Sequence, residues 1–175
     1  MRRWLISLIL VIGISGLGFW AWRVFLPSPD KVIRQRLTKL ARIVSCPGNE
    51  APLARLANAR AVTMFFTPDV EITVDLPGRS RQNFNGRDEL LPAAIAARSS
   101  GRSFTVKFLD IIVTLDPDRN SAVAELTATA KVPGERDLYV QELKFRLKQV
   151  DGEWLIYQVE NLKTLSIRNL ERRAA

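Results

Sequence analysis

The chain has 175 residues and a formal charge of +8, from 26 Lys and Arg against 18 Asp and Glu, with one cysteine and no histidine. A lone Cys46 excludes an intrachain disulfide. Without imidazole neither a Ser-His-Asp nor a Cys-His pair can form, and a catalytic zinc site loses its commonest ligand; no Gly-rich phosphate loop or EF-hand spacing occurs either, so the residues point to no metal and no cofactor.

The first element in chain order is an apolar run from Trp4 to Trp22 that carries no charge, with Arg2 and Arg3 before it and Arg23 after it. Such a run, about 19 residues, approaches the ~20 that cross a bilayer as a helix, and Trp4, Trp20 and Trp22 stand where indole rings favour the headgroup boundary. A basic start and an apolar stretch also describe a cleaved secretory signal. A small-x-small cleavage site separates the two readings. Trp22-Arg23-Val24-Phe25-Leu26-Pro27 offers bulky residues where a peptidase needs small ones, which favours an uncleaved anchor over residues 1–26. The Arg excess on the short N-terminal side places the N-terminus in the cytoplasm and the remainder beyond the inner membrane, in the periplasm of a Gram-negative bacterium. The positive surplus then reads as a membrane-surface effect or as ordinary solubility. Its Arg residues are scattered, and no nucleic-acid partner is expected.

Residues 27–165 read as one domain of ordinary size, and residues 166–175 as a tail. Ser28-Pro29-Asp30 precedes a predicted helix from Lys31 to about Ser45, with Ile33, Leu37, Leu40 and Val44 on one stripe and Lys31, Arg34, Lys39 and Arg42 on the opposite face. Cys46-Pro47-Gly48-Asn49 is a break. A second helix starts near Pro52 and runs to about Phe66, where Thr67-Pro68-Asp69 stops it. The period then changes to two: a strand from Val70 to Leu76, a turn at Pro77-Gly78, and a short partner strand from Arg81 to Phe84. A third helix is expected from Arg87 to Arg98, distorted at Pro92. Four longer strands follow, about Ser103 to Leu115, Ala122 to Val132, Leu138 to Val150 and Trp154 to Leu165, the last two joined at Asp151-Gly152, the strongest hairpin signal in the chain.

This order predicts an α+β fold with helices on one face of a curved antiparallel sheet. Three motifs, Phe65-Phe66-Thr67-Pro68-Asp69-Val70-Glu71, Asn85-Gly86-Arg87-Asp88-Glu89-Leu90 and Val150-Asp151-Gly152-Glu153-Trp154-Leu155-Ile156, fall in order between these elements. On them the chain resembles the nuclear transport factor 2-like superfamily, including its SnoaL-like domains, over nearly all of Lys31 to Leu165. The resemblance implies a cone-shaped, cystatin-like domain whose sheet wraps three helices and leaves a pocket at the open end. It leaves function open, since members range from isomerases and dehydratases to binding and scaffolding domains.

In ketosteroid-isomerase-like members a carboxylate just after the first strand is the general base, and Asp75 matches that position, with slightly longer spacing to Asp69 and Gly86. Such a base needs apolar surroundings that raise its pKa and a partner for the developing oxyanion. The first helix has no Tyr, so the polar pocket candidates are Tyr139, Gln141 and Glu142, whose orientation depends on strand register, and Asp110, which marks either pocket or exposed face. Asp75 also reads as a turn residue before Pro77-Gly78, and Tyr139 as an aromatic near a strand end. The function expected is a membrane-anchored, non-catalytic binding or assembly domain. The alternatives are an isomerase or lyase resting on Asp75, and a component of an envelope or secretion complex. The expected partners are the lipid bilayer, a second copy of the chain, an envelope protein and a small apolar ligand.

Overall fold

A computed structural model of the chain describes residues 28–75, 81–134 and 138–162. The anchor expected from Arg2, Arg3, Trp4, Trp20 and Trp22, and the expected tail, lie outside the described residues. The chain divides into two units, Met1–Val32 and Ile33–Ala175. No helix among the described residues is long and apolar enough to cross a membrane.

Helix α1 spans Pro29–Val44. Proline suits the first helical position because its missing N–H has no partner there, and the Ser28 carbonyl accepts the first bond, from the Val32 N–H at 3.2 Å. Ile33, Leu37 and Leu40 form the buried stripe. Past the helix end, Cys46 and Phe104 exchange two backbone bonds of 2.9 Å, and the Ser45 hydroxyl accepts from the Val106 N–H at 2.9 Å. Cys46 is thereby buried at a junction.

Helix α2, Pro52–Thr63, ends earlier than the sequence suggested, because β1 already begins at Phe66 and runs to Val74. Thr67-Pro68-Asp69 is therefore part of a strand instead of a stop. It lies at a register shift between Phe66 and Glu71, where a proline without a donor is tolerated. β2 (Gln82–Asn85) pairs antiparallel with β1, and α3 (Arg87–Ser99) keeps Pro92 inside a continuous helix. β3 (Thr105–Leu115), β4 (Ser121–Lys131), β5 (Leu138–Val150) and β6 (Glu153–Asn161) form the meander.

The six strands make one sheet in the order β2-β1-β6-β5-β4-β3. β1 and β6 run parallel while the other neighbours are antiparallel, so the sheet is mixed, which corrects the antiparallel sheet expected from the order of elements. A parallel pair needs a long crossover, and here everything from β2 to β5 intervenes between the two strands. Irregularities between Leu109 and Ile112 and between Arg146 and Leu147 bend the sheet.

One sheet face carries the core: Ala122, Ala124 and Leu126 from β4, Leu143, Phe145 and Leu147 from β5, and Trp154, Ile156 and Val159 from β6 are all buried, together with the stripe of α1. Each such leucine, isoleucine or phenylalanine contributes about 1.5–3 kcal/mol by leaving water. Between them the alanines of β4 keep that face low.

The three sequence motifs meet in space. The Phe65 carbonyl accepts from the Ile156 N–H at 2.9 Å, Gly86 N–H donates to the Val70 carbonyl at 2.7 Å, and Arg87 Nε donates to the Phe66 carbonyl at 2.8 Å. Asp151 and Gly152 have φ of 50° and 82°, the left-handed pair that a tight two-residue hairpin requires.

Candidate functional site

Asp75 follows β1 directly, and each of its polar groups is engaged. Its N–H donates to Asn161 Oδ1 at 2.9 Å and its carbonyl accepts from Gln141 Nε2. Its carboxylate accepts from Arg81 Nε at 2.9 Å and Nη2 at 3.3 Å, a two-pronged pair whose partners stay half-exposed. The hydrogen bond from Arg81 holds the Asp75 carboxyl below the usual carboxylate range, with slight desolvation opposing it, and the same pairing raises the Arg81 guanidinium.

Around this pair lies a cavity of about 640 Å³. β1 lines it with Glu71 and Thr73, β6 with Gln158 and Glu160, and β5 with Val140, Gln141 and Glu142. Register explains the convergence. Glu71 stands opposite Gln158 and Thr73 opposite Glu160, while the alternate residues Val70 and Ile72 are buried in the core. The cavity thus opens mainly on the sheet face turned away from the core, at the end where β1 and β6 stop. No helix residue is among its described lining. The resemblance implied a pocket at the open end of the cone; the described cavity is lined by strand residues and their flanks, with polar groups beside Val140, Val159 and Leu162.

Of the residues singled out in the sequence, Asp75, Gln141 and Glu142 line this cavity, and Gln141 touches Asp75 directly. Tyr139 stands one residue outside the described lining, opposite Ala130 on β4 and partly exposed. Asp110 is elsewhere, exposed in the irregularity of β3 with φ of 51°, a conformation that Asp tolerates better than most side chains. Sequence reasoning passed over Arg81, Asn161, Glu71, Gln158 and Glu160. A signal existed for Arg81, since an acid and a base a few residues apart on either side of a Pro-Gly sequence are candidates to pair. None existed for the others, because the parallel β1–β6 pairing that gathers them is not local.

A second polar cluster lies apart from the cavity. Arg98, 3% exposed, donates from Nη1 to both Glu50 oxygens at 2.6 and 2.8 Å and from Nη2 to the Ile43 carbonyl. Asn58 Nδ2 donates to Glu50 Oε1 at 2.9 Å, and Arg55 Nε to the Glu50 carbonyl at 2.9 Å. The Arg98 bond lowers the Glu50 pKa against the opposing effect of burial. These bonds tie the end of α1 to α2 and α3. Among the described residues no group of three or more His, Cys, Asp or Glu is arranged to hold a metal ion.

The sequence matches no family model and no curated protein. Solved structures do resemble it. An uncharacterized protein with a cystatin-like fold from Caulobacter vibrioides aligns with a TM-score of 0.60 at 15% identity, over 85% of this chain and 99% of that one. A nuclear transport factor 2-like protein of unknown function from Pseudomonas putida aligns with a TM-score of 0.59 at 9% identity, over 80% and 89%. Aln2 from a Streptomyces species aligns with a TM-score of 0.57 at 16% identity, over 86% and 99%. At these identities the likeness is one of fold. The described residues have a cystatin-like, nuclear transport factor 2-like α+β fold with three helices and a curved mixed sheet.

Proposed function

We propose that this chain is a single-pass, membrane-anchored domain on the periplasmic side of the inner membrane that binds a polar ligand in its strand-lined cavity and performs no chemistry on it. The observation that carries the reading is the pairing of Asp75 with Arg81. A carboxylate that takes a proton from carbon is most effective with its pKa raised toward working pH, which demands an apolar, secluded setting. Asp75 is half-exposed, paired with a guanidinium and shifted the other way. Its bonds to Asn161, Gln141 and Arg81 suit a residue that fixes the rim of the cavity.

The lining argues for the class of ligand. Beside Val140, Val159 and Leu162, Glu71, Glu142, Thr73 and Gln158 present carboxylates, a hydroxyl and an amide, and a wholly apolar molecule would strip water from them without replacing its hydrogen bonds. A ligand carrying hydroxyl or amine groups fits better than the small apolar one expected from the fold. The location rests on the uncharged run from Trp4 to Trp22 and on the arginines at its start.

Native mass spectrometry of the full chain, released from detergent, tests this reading. The expected result is one co-purified small molecule on the wild type and on Asp75→Asn, lost from a Glu71→Ala, Gln158→Ala double variant. A compound that the wild type converts and Asp75→Asn leaves intact would establish the isomerase or lyase instead.

One further observation favours a protein partner. Leu109, Ile112, Leu138 and Val140 are exposed and, by register with Thr127, Glu125, Lys131 and Thr129, lie on the sheet face opposite the core. A second copy of the chain or an envelope protein would cover this patch. Crosslinking in intact membranes separates them: a product of twice the chain mass identifies the copy, and one dominant heterologous product identifies the envelope partner.

A further inference from the structure

Helix α1 divides its faces sharply. Ile33, Leu37, Leu40 and Ala41 are buried in the domain's own core. On the other side Arg34, Gln35, Thr38, Lys39 and Arg42, at positions i, i+1, i+4, i+5 and i+8, line a shallow groove of about 400 Å³ whose described lining has no acidic residue. Arg34 is steadied from its helix by donating to the Ile111 carbonyl on β3, and Lys39 and Arg42 are exposed.

We infer that the Arg34–Lys39–Arg42 face of α1 is a docking surface for anionic phospholipid headgroups. The inference rests on the anchored reading for its geometry. Six residues, Arg23 to Ser28, separate the apolar run from α1, and a linker of that length reaches at most about 20 Å when fully extended. A basic helix face held that near a bilayer meets the negative surface potential of its anionic lipids, within which each Lys or Arg close to the surface is attracted. The apolar face of α1 is already committed to the core, so the helix rests on headgroups and does not insert among acyl chains, unlike a free amphipathic helix. Attraction of this kind is weakened by salt.

The test uses the full chain in vesicles of phosphatidylcholine alone or mixed with phosphatidylglycerol, with amine-reactive labelling read at single lysines. Lys39 is the reporter, and the exposed sheet residues Lys107 and Lys131 are references. Labelling of Lys39 relative to the references is expected to fall about three- to tenfold when phosphatidylglycerol is present, and to recover in high salt and in Arg42→Glu. Equal labelling in the two vesicles, with the chain floating with both, overturns the docking surface while leaving the anchor intact. Protection of Lys39 by inorganic phosphate in phosphatidylcholine vesicles, equal to that by phosphatidylglycerol, also overturns it, in favour of a soluble anion. Failure to float with phosphatidylcholine, together with salt-sensitive flotation on phosphatidylglycerol, removes the anchor and keeps the surface.

Discussion

Glu50 and Arg98 form a nearly buried ion pair, 2.6 Å at its shortest, between the connection that precedes α2 and the last turn of α3. Their side chains are 9% and 3% exposed. Because Arg98 also donates to the Ile43 carbonyl and Glu50 accepts from Asn58, one pair fixes all three helices against one another.

Removing one partner leaves the other charge buried without compensation, which typically costs about 3–5 kcal/mol. Arg98→Ala is therefore expected to lower the urea midpoint sharply. A Glu50→Gln, Arg98→Met double variant, in which no charge remains buried, is expected to recover much of the loss. A single variant as stable as the wild type would show that the pair contributes little.

The same pair sets a direction for pH. Glu50 titrates below its ordinary value near 4.5 in the folded chain, so the native state binds fewer protons than the unfolded one as the solution is acidified. Its contribution is complete above that ordinary value and fades as pH falls through the lowered one. Urea titrations of the wild type and of Glu50→Gln are expected to differ most near neutrality and to converge in acid. A gap that widens on acidification would contradict the assignment.

Gly86 precedes α3 with φ of 82° and ψ of 165°, a region essentially closed to side chains, and a Cβ there would stand 3.1 Å from the Pro68 carbonyl oxygen. Gly86→Ala is expected to destabilise the chain by about 1–3 kcal/mol. Thermal unfolding checks this, with Gly134→Ala as the companion: Gly134 also has positive φ, at 89°, but a Cβ there meets no atom of the described residues within 4 Å. The two variants therefore separate backbone strain alone from strain plus a close approach.

What the sequence made legible was local. The apolar stripe of α1, the Asp151-Gly152 hairpin and the alternation along β4 and β5 each depend on residues a few positions apart. The resemblance motifs were informative because Phe65 bonds Ile156, Val70 bonds Gly86 and Phe66 bonds Arg87 across long separations, so their spacing is constrained by contact. The parallel pairing of β1 with β6 was not legible. Pro68 looked like a stop because its effect on the preceding residue was weighed without the strand that accommodates it. For the same reason Glu71 and Gln158 drew no notice: they are ordinary surface residues until register sets them face to face. Glu50 and Arg98 left no local mark either, since an acid in one connection and a base 48 residues later become partners only through helix packing.

The titration of Asp75 tests the central claim most directly. Carbon NMR of its side-chain carboxyl in the full chain is expected to give a pKa below the ordinary value of 3.8, returning toward it in Arg81→Ala. A value raised toward neutrality in the wild type, falling when the cavity is opened to water, would contradict the non-catalytic reading and restore Asp75 as a general base.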